Sequence, residues 1–319
     1  MPKISIITPC YNCENFIRQT IESVQTQSFT DWEWVIVDDG SHDRSALIIQ
    51  DMVLKDKRLR LIQQTNQGVA KARNIGFSNS HPESDFLLFL DADDCLKPEM
   101  LEILAHYLEQ YSEVGLVYCD RTYIDSNDIP LETPTFPRLV PSWLGFHTLP
   151  NHQTETPFAS VFNLAPIIPS LALIRRSIYK FTSGWDETFG QLCEDTDVFL
   201  MIALLAKIHY LPKQLVLYRQ HKHQSTANSN KFAVQERKLY YKWLHLKSLT
   251  DEQKAQVRKA WKFREGRVLP HSGALAGTRH LKRGEIKQAL RFYLGAVRRY
   301  TLSFLPDRLF KFFVQAASE

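Results

Sequence analysis

The sequence predicts an α/β protein built on a mostly parallel sheet with helices on both faces. Between residues 3 and 118, short β-branched or aromatic runs alternate with segments whose apolar residues recur at helical spacing. Alternation at these lengths is typical of β-α-β units, whose strands run parallel. Two of the apolar runs end in carboxylates, at Asp38 and Asp91, so acids are expected at the sheet edge where open α/β sheets bind ligands.

Each predicted element has its own signal. The strands are apolar runs bounded by turn residues, and they are expected at Lys3–Thr8, Trp34–Val37, Leu59–Gln63, Phe86–Leu90 and Val114–Tyr118. The helices carry apolar residues three or four positions apart, and they are expected at Glu14–Gln27, Asp43–Lys55, Gly68–Asn79 and Pro98–Tyr111.

The chain changes character after these elements. Eight prolines between residues 126 and 170 predict an irregular segment, either a loop that covers a substrate or a passive insertion. Helical spacing returns from Gln235 onward, with apolar faces formed by Leu239, Trp243 and Leu246 and by Ile286, Leu290 and Leu294. We therefore expect a main domain over residues 1–228 and a basic helical C-terminal extension over residues 229–319.

Composition places the chain among globular proteins. Its 319 residues are 44% hydrophobic, which is enough for a sizeable core. Five scattered cysteines and an N-terminus that enters a strand pattern directly favour a reducing, cytoplasmic setting. The longest apolar stretch, Val198–Leu211, is shorter than the ~20 residues that a membrane-spanning helix needs.

Charge is distributed unevenly along the chain. Residues 231–319 contain 20 Lys or Arg against 7 Asp or Glu, whereas residues 1–230 contain 19 against 28. From Arg298 to Phe313, cations alternate with apolar side chains, which is typical of a helix in a membrane interface. We expect peripheral contact with the inner face of a membrane; an amphipathic helix packed on its own domain is the alternative. No nucleic-acid recognition motif accompanies the charge, so nucleic-acid binding is not expected.

The acids after the fourth strand carry the strongest chemical signal. Asp91, Asp93 and Asp94 follow the apolar run directly. Carboxylates crowded this closely repel one another, which favours a hard divalent cation, Mg²⁺ or Mn²⁺, held by the acids and by substrate phosphates together. Asp38 and Asp39 end another strand and reach the same edge if the strands are parallel, although acids there could instead cap the following helix.

Several short motifs occur in the order seen in family 2 nucleotide-sugar glycosyltransferases. They are Ser5–Asn12, Gln27–Glu33, Val37–Ser41, Asn66–Gly68, Ala72–Gly76, Leu90–Asp94, Gly184–Glu187, Glu194–Asp197 and Tyr218–His221. The chain resembles this family over about residues 3–226. The resemblance implies the GT-A fold, with a Rossmann-like sheet. It also implies an enzyme that moves a sugar from a nucleotide sugar, normally a UDP-sugar, to a glycan or lipid-linked acceptor in cell-surface polysaccharide or glycoconjugate synthesis.

The resemblance assigns residues to the donor. Asp39 matches the acid that contacts the base, and Arg73 lies in the region that faces the phosphates. The base and ribose pocket is expected to be lined by Thr8, Pro9 and Tyr11.

Metal ligands are implied in the same way. Asp91 and Asp93 match the two acids of the family's DxD motif. Asp93 is expected to bind Mn²⁺ or Mg²⁺ directly, while Asp91 lies nearer the ribose and sugar and is a second candidate ligand. His221 stands where some related transferases place a histidine close to the metal or the diphosphate, although a lone histidine is as often structural.

Asp195 matches the family's catalytic base. A carboxylate in reach of the acceptor hydroxyl takes its proton as the oxygen attacks the anomeric carbon, and a single displacement inverts that carbon. Glu194 is expected to help hold the sugar or acceptor, and Trp185 to stack on a sugar ring. The structural alternatives are a helix cap for the two acids and core packing for Trp185.

Two other classes stay open at this point. A haloacid-dehalogenase-type phosphohydrolase would also use Asp91 and Asp93 after an apolar run, but it would need Thr or Val where this chain has Cys95. A non-catalytic nucleotide-sugar binding protein would retain the fold, but it would have no use for Asp195.

Overall fold

The predicted strands and helices occur in the expected order in the structure, which is a computed structural model. It describes residues 1–131, 155–163, 167–190, 192–221, 229–264, 277–278, 280–281 and 283–302. The strands are β1 (Ile4–Cys10), β2 (Trp32–Asp38), β3 (Leu59–Gln63), β4 (Phe86–Phe89), β5 (Cys95–Leu96), β6 (Val114–Ile124), β7 (Ala172–Arg175) and β8 (Lys207–Arg219). The helices are α1 (Ile17–Gln25), α2 (Ser45–Lys55), α3 (Val69–Ser78), α4 (Met100–Gln110), α5 (Phe158–Asn163), α6 (Arg176–Tyr179), α7 (Glu194–Leu205), α8 (Ser229–Leu244), α9 (Asp251–Phe263) and α10 (Ile286–Leu302).

These eight strands form one sheet in the order β3-β2-β1-β4-β7-β6-β8-β5. β1 runs parallel to β2 and β4, β2 runs parallel to β3, and β6 runs parallel to β8. β7 is antiparallel to both of its neighbours, and β5 is antiparallel to β8. The expected α/β fold with a mostly parallel sheet is therefore confirmed.

The core lies on both sides of the central strands. Ile6 and Ile7 in β1, and Trp34 and Val35 in β2, are completely buried. Successive residues of a strand point to opposite faces, so burial of adjacent residues means that both faces are covered.

The structure adds elements that the sequence pattern did not predict. β6 continues to Ile124, because its second half pairs with β8 beyond register shifts near Asp120. Helix α5 lies within the proline-rich segment, and β7 begins after a 3-10 turn at Pro169–Leu171. Residues 132–154 lie outside the described part of the chain, so the expectation of a substrate-covering loop there stays a prediction.

Two compact units are present. The first contains the described residues up to Leu239 except Phe162 and Asn163, and the second contains those two residues and the described residues from Tyr240 onward. The division falls inside α8, after the boundary expected at residue 228. In the second unit, Trp261 is buried and stacks on Tyr240 with ring centroids 4.7 Å apart.

The described helices include none that is long and apolar enough to cross a membrane. The apolar stretch Val198–Leu211 is divided between α7 and β8, so it is not one continuous helix.

Candidate active site

The carboxyl ends of β1, β2 and β4 meet at one edge of the sheet, because these strands are parallel neighbours. The Leu90 amide donates to the Ile7 carbonyl at 2.9 Å, and the Asp39 amide donates to the Cys10 carbonyl at 2.8 Å. The chain therefore leaves all three strands at the same place, as expected from the sequence.

Asp39 is held rigidly at the end of β2. Its Oδ1 accepts hydrogen bonds from Gln64 Nε2 at 2.6 Å and from the Gln67 amide at 2.8 Å, and its Oδ2 accepts one from the Gly68 amide at 2.8 Å. Gly68 is the N-cap of α3, so Asp39 satisfies a donor at the start of that helix rather than capping α2. The carboxylate is 3% exposed, and its position is fixed before any ligand binds.

The segment after β1 divides into a buried part and an exposed part. Thr8 is completely buried, and its hydroxyl accepts a hydrogen bond from Trp34 Nε1 at 2.9 Å. Pro9 is half-buried, whereas Tyr11 is 43% exposed. The Thr8 side chain thus supports the strand, and Tyr11 is the side chain with an accessible ring face.

Arg73 connects two acids from distant parts of the chain. Its Nη2 donates to Asp91 Oδ1 at 2.7 Å, and its Nη1 donates to Glu194 Oε1 at 3.0 Å. The guanidinium also lies over the Trp185 ring, 4.4 Å from its centroid, and its side chain is 4% exposed. The geometry assigns Arg73 to the carboxylates, which it orients and partly neutralises.

Trp185 has a packing role in this arrangement, which corrects the expectation that it stacks on a sugar. The side chain is 1% exposed and meets Phe89 edge-on, with ring centroids 4.9 Å apart. The ring centroid of Phe199 lies 6.4 Å from that of Trp185. Because Arg73 and these rings cover the indole, no open face is left for a sugar ring.

Glu194 and Asp195 begin α7, so their negative charges lie at its electropositive end. The preceding residue, Cys193, has φ 71°, a left-handed conformation that is uncommon outside glycine and recurs near functional sites. Asp195 Oδ1 accepts a hydrogen bond from the Thr196 amide at 2.6 Å. The two acids thus lie in the first turn of α7 and do not cap it, because the N-cap is Cys193 and it makes no side-chain capping hydrogen bond. Asp195 is half-buried at the edge of the site.

Burial alters the acidity of this pair. It raises the pKa of Glu194 to about 7, with the charge of Asp195 adding to the effect and Arg73 opposing it. The pKa of Asp195 is also raised by burial, against the hydrogen bond from Thr196. A carboxyl group with a raised pKa holds a proton more firmly, which suits a general base.

Asp93 meets the end of β8. Its Oδ2 lies 2.8 Å from Nε2 of His221, whose ring packs against Phe16 with centroids 4.9 Å apart. Asp91 is engaged by Arg73 and does not join this pair. Among the described residues, no three His, Cys, Asp or Glu side chains are grouped so as to hold a metal ion. The donors do fit a divalent cation that takes its other ligands from phosphate oxygens and water.

Arg219, the last residue of β8, binds the loop that carries Asp93 and Asp94, which we call the acid loop. The sequence motifs assigned no role to Arg219. Its side chain is fully buried, and Nε donates to the Asp93 carbonyl at 2.9 Å. Its amide donates to Asp94 Oδ1 at 3.1 Å, its Nη2 donates to Gln19 Oε1 at 2.9 Å, and its Nη1 pairs with Asp128. Asp94 is thus a structural acid, and burial raises its pKa well above the ordinary value.

Comparison with known proteins agrees with this architecture. The sequence model of the family described as Glycosyl transferase family 2 matches residues 5–182. A protein of Haemophilus influenzae named "Uncharacterized glycosyltransferase" is 40% identical over 138 residues, which are 42% of this chain and 53% of that protein. The chain thus spans about half the length of this curated relative.

Solved structures share the fold. Staphylococcus aureus TarS 1–349 in complex with UDP-GlcNAc superposes with a TM-score of 0.60 at 19% identity, over 93% of this chain and 92% of that one. The mannosyltransferase PcManGT from Pyrobaculum calidifontis, in complex with GDP-Man and Mn²⁺, gives a TM-score of 0.61 at 16% identity, over 95% and 88%. The fold is that of GT-A-type transferases, as the resemblance implied. The chain belongs to glycosyl transferase family 2.

Proposed function

We propose that the protein is an inverting glycosyltransferase that moves a sugar from a nucleotide sugar, a UDP-sugar, to a hydroxyl of a glycan or lipid-linked acceptor. One observation carries the proposal. A fixed acid at Asp39, the Asp93–His221 pair and the Glu194–Asp195 pair all belong to the first unit of a family 2 chain. These are the parts needed for base binding, diphosphate binding and proton abstraction.

In binding the nucleotide sugar, Asp39 would accept a hydrogen bond from the base. The exposed ring of Tyr11 would stack on that base. Both groups lie where strands β1 and β2 end, the usual place for a nucleotide in an open α/β sheet. The structural neighbour TarS 1–349, whose complex contains UDP-GlcNAc, supports a UDP-sugar as the first donor class to examine.

Asp93 and His221 would hold a divalent cation, Mn²⁺ or Mg²⁺, together with the donor diphosphate. A cation there stabilises the negative charge that develops on the leaving diphosphate. Arg219 holds the Asp93 backbone next to the end of β8. The carboxylate of Asp93 and the imidazole of His221 would therefore be positioned before the nucleotide sugar binds. The Mn²⁺ in the PcManGT complex is in keeping with this assignment.

Asp195 would take the proton of the acceptor hydroxyl as its oxygen attacks the anomeric carbon from the side opposite the diphosphate. General-base catalysis of this kind contributes roughly 100- to 10,000-fold in rate. Glu194 Oε2 is buried without a hydrogen-bond partner among the described residues, so a sugar hydroxyl that reached it would satisfy an unpaired acceptor. A single displacement would invert the anomeric configuration.

A calorimetric panel of nucleotide sugars with Mn²⁺ tests the proposal. We expect one UDP-sugar to bind only when the metal is present and to be slowly hydrolysed without an acceptor. If no nucleotide sugar binds and phosphomonoesters are cleaved, the phosphohydrolase alternative replaces the transferase. If donors bind but neither hydrolysis nor transfer occurs with any acceptor fraction, the binding-protein alternative replaces it.

The expected peripheral contact of Arg298–Phe313 with a membrane stays a prediction, because residues 303–319 lie outside the described part of the chain. The cytoplasmic setting is likewise retained as a proposal.

A further inference from the structure

Helix α10 in the second unit has two apolar faces, and one of them is used for packing. Ala289 and Ala296, seven positions apart, are 1% and 8% exposed. On the same side, Phe292 stacks on His280 with ring centroids 5.1 Å apart, and Tyr293 shares a 2.8 Å hydrogen bond with Thr278. This face holds the helix within its own unit.

The other apolar face is exposed. Ile286, Leu290 and Leu294 are 61%, 54% and 68% exposed, and we call them the α10 ridge. Their spacing of four positions aligns them along one side of the helix. The sequence pattern grouped the same three residues as a helix face, but the small alanines, not these large side chains, fill the interior. A row of large exposed apolar residues is typical of an interaction surface.

The charges beside the ridge indicate what can cover it. α10 contains four cations, Lys287, Arg291, Arg298 and Arg299, and its sequence contains no Asp or Glu. Lys287 and Arg291 are exposed, and each directly follows a ridge residue. One residue corresponds to about 100° around a helix, so these cations flank the ridge on one side.

We propose that the α10 ridge inserts into the interface of an anionic membrane, with Lys287 and Arg291 on the lipid phosphates. Apolar residues on one face, Lys and Arg beside them and no acids are the features of a helix that lies in the membrane plane. A second copy is a poorer partner, because ridge-to-ridge packing would bring the cations of both helices together without acids to offset them. The proposal is independent of the donor and of the transfer reaction.

Vesicle sedimentation of the full chain tests the proposal. The parent should bind vesicles that contain about one third phosphatidylglycerol and should bind pure phosphatidylcholine weakly. The double variant Leu290→Gln/Leu294→Gln should lower the partition coefficient by more than about tenfold, because two inserted apolar side chains are lost. Lys287→Gln/Arg291→Gln should lower it on anionic vesicles alone, by about fivefold for each charge.

Matched controls separate the ridge from other causes. Leu47 and Leu54 on α2 are 64% and 82% exposed, more than Leu290 and Leu294, so Leu47→Gln/Leu54→Gln removes two exposed leucines elsewhere and should leave binding unchanged. Circular dichroism should be the same for all variants, because the changed side chains are exposed.

Three results would overturn the proposal. The first is that the parent fails to bind anionic vesicles. The second is that the ridge variant, Leu290→Gln/Leu294→Gln, binds as well as the parent while Arg308→Gln/Lys311→Gln loses binding, which would assign the contact to residues after α10. The third is a dimer of the parent, seen by light scattering, that the ridge variant converts to a monomer; this would assign the ridge to a second copy.

Discussion

His221 Nε2 lies 2.8 Å from Asp93 Oδ2, although 128 positions separate the two residues in the chain. The contact joins the loop after β4 to the end of β8. It brings an imidazole nitrogen and a carboxylate oxygen to one point, and in the proposed function these two groups would bind a divalent cation together with a diphosphate.

Replacing His221 with Ala should weaken Mn²⁺-dependent binding of UDP by about 10- to 100-fold, the range seen when a group supporting a metal site is lost. Asp93→Asn should act in the same direction. Isothermal titration with and without Mn²⁺ measures the effect. His106→Ala removes a histidine that is 77% exposed on α4 and should change nothing. Equal Mn²⁺ dependence in the parent and the His221 variant would contradict the assignment.

Asp195→Asn should retain donor binding and lose transfer, because the amide still accepts from the Thr196 amide but cannot take a proton. We expect kcat to fall by roughly 100- to 10,000-fold. Initial-rate transfer assays and donor titrations measure the two quantities separately. Asp85→Asn, an exposed acid at the amino end of β4, is the control. A variant as active as the parent would remove Asp195 from the mechanism.

Glu194 should make stability depend on pH. Its folded-state pKa of about 7 lies above the ordinary value of 4.5, so between these pH values the folded protein holds a proton that the unfolded chain has released. The free energy of unfolding should therefore fall as pH rises through this range. Urea unfolding of the parent and of Glu194→Gln, whose amide does not titrate, should show a steeper decline in the parent, because the buried Asp94 and Asp195, whose pKa values are also raised, contribute to both proteins. Glu99→Gln, on the surface, should behave as the parent, and identical pH profiles for all three would refute the prediction.

Arg219→Ala should lower the free energy of unfolding by about 1–3 kcal/mol, because it leaves buried acceptors such as the Asp93 carbonyl unpaired, whereas the lost pairing with Asp128, which is 47% exposed, adds little. Arg219→Lys should recover only part of the loss, since an ammonium group cannot reproduce the planar fork. Denaturant unfolding measures both. Arg44→Ala, at an exposed position, should change stability by less than about 0.5 kcal/mol. A small effect at Arg219 would mean that the acid loop is held by other contacts.

Gly76→Ala should destabilise the first unit by about 1–3 kcal/mol. A Cβ there would lie 2.4 Å from Ile7 Cγ2, so α3 would have to move away from β1. Gly295→Ala in α10 meets nothing within 4 Å and should instead stabilise its helix by up to about 1 kcal/mol. Thermal unfolding compares the two variants; a neutral Gly76→Ala would show that α3 is less tightly packed than the structure indicates.

The sheet edge and its acids could be predicted because the signals are local. A β-branched run such as β2 predicts a strand by its own residues, and Asp39 and Asp91 follow such runs directly. Strand order could not be obtained in this way. β7 inserts between β4 and β6 with antiparallel pairing, and that choice depends on partners far away in the chain.

The roles of some side chains could not be predicted either, because they also depend on partners far away in the chain. Trp185 belongs to a short motif, but its burial depends on Phe89 and Arg73, which the motif does not contain. Gln19 and Asp128 carry no sequence signal at all, and they matter because both bind the same arginine, Arg219.

The sequence by itself determined the alternation of strands and helices as far as the start of β6, the acids that leave the central strands and membership of glycosyl transferase family 2. The tertiary structure alone decided that Arg73 links Asp91 to Glu194, that Arg219 supports Asp93, and that the large residues of the α10 ridge are exposed. Periodicity and short motifs report what each segment favours locally. Charge pairing and burial arise only when distant segments meet, so these relationships depend on the folded chain.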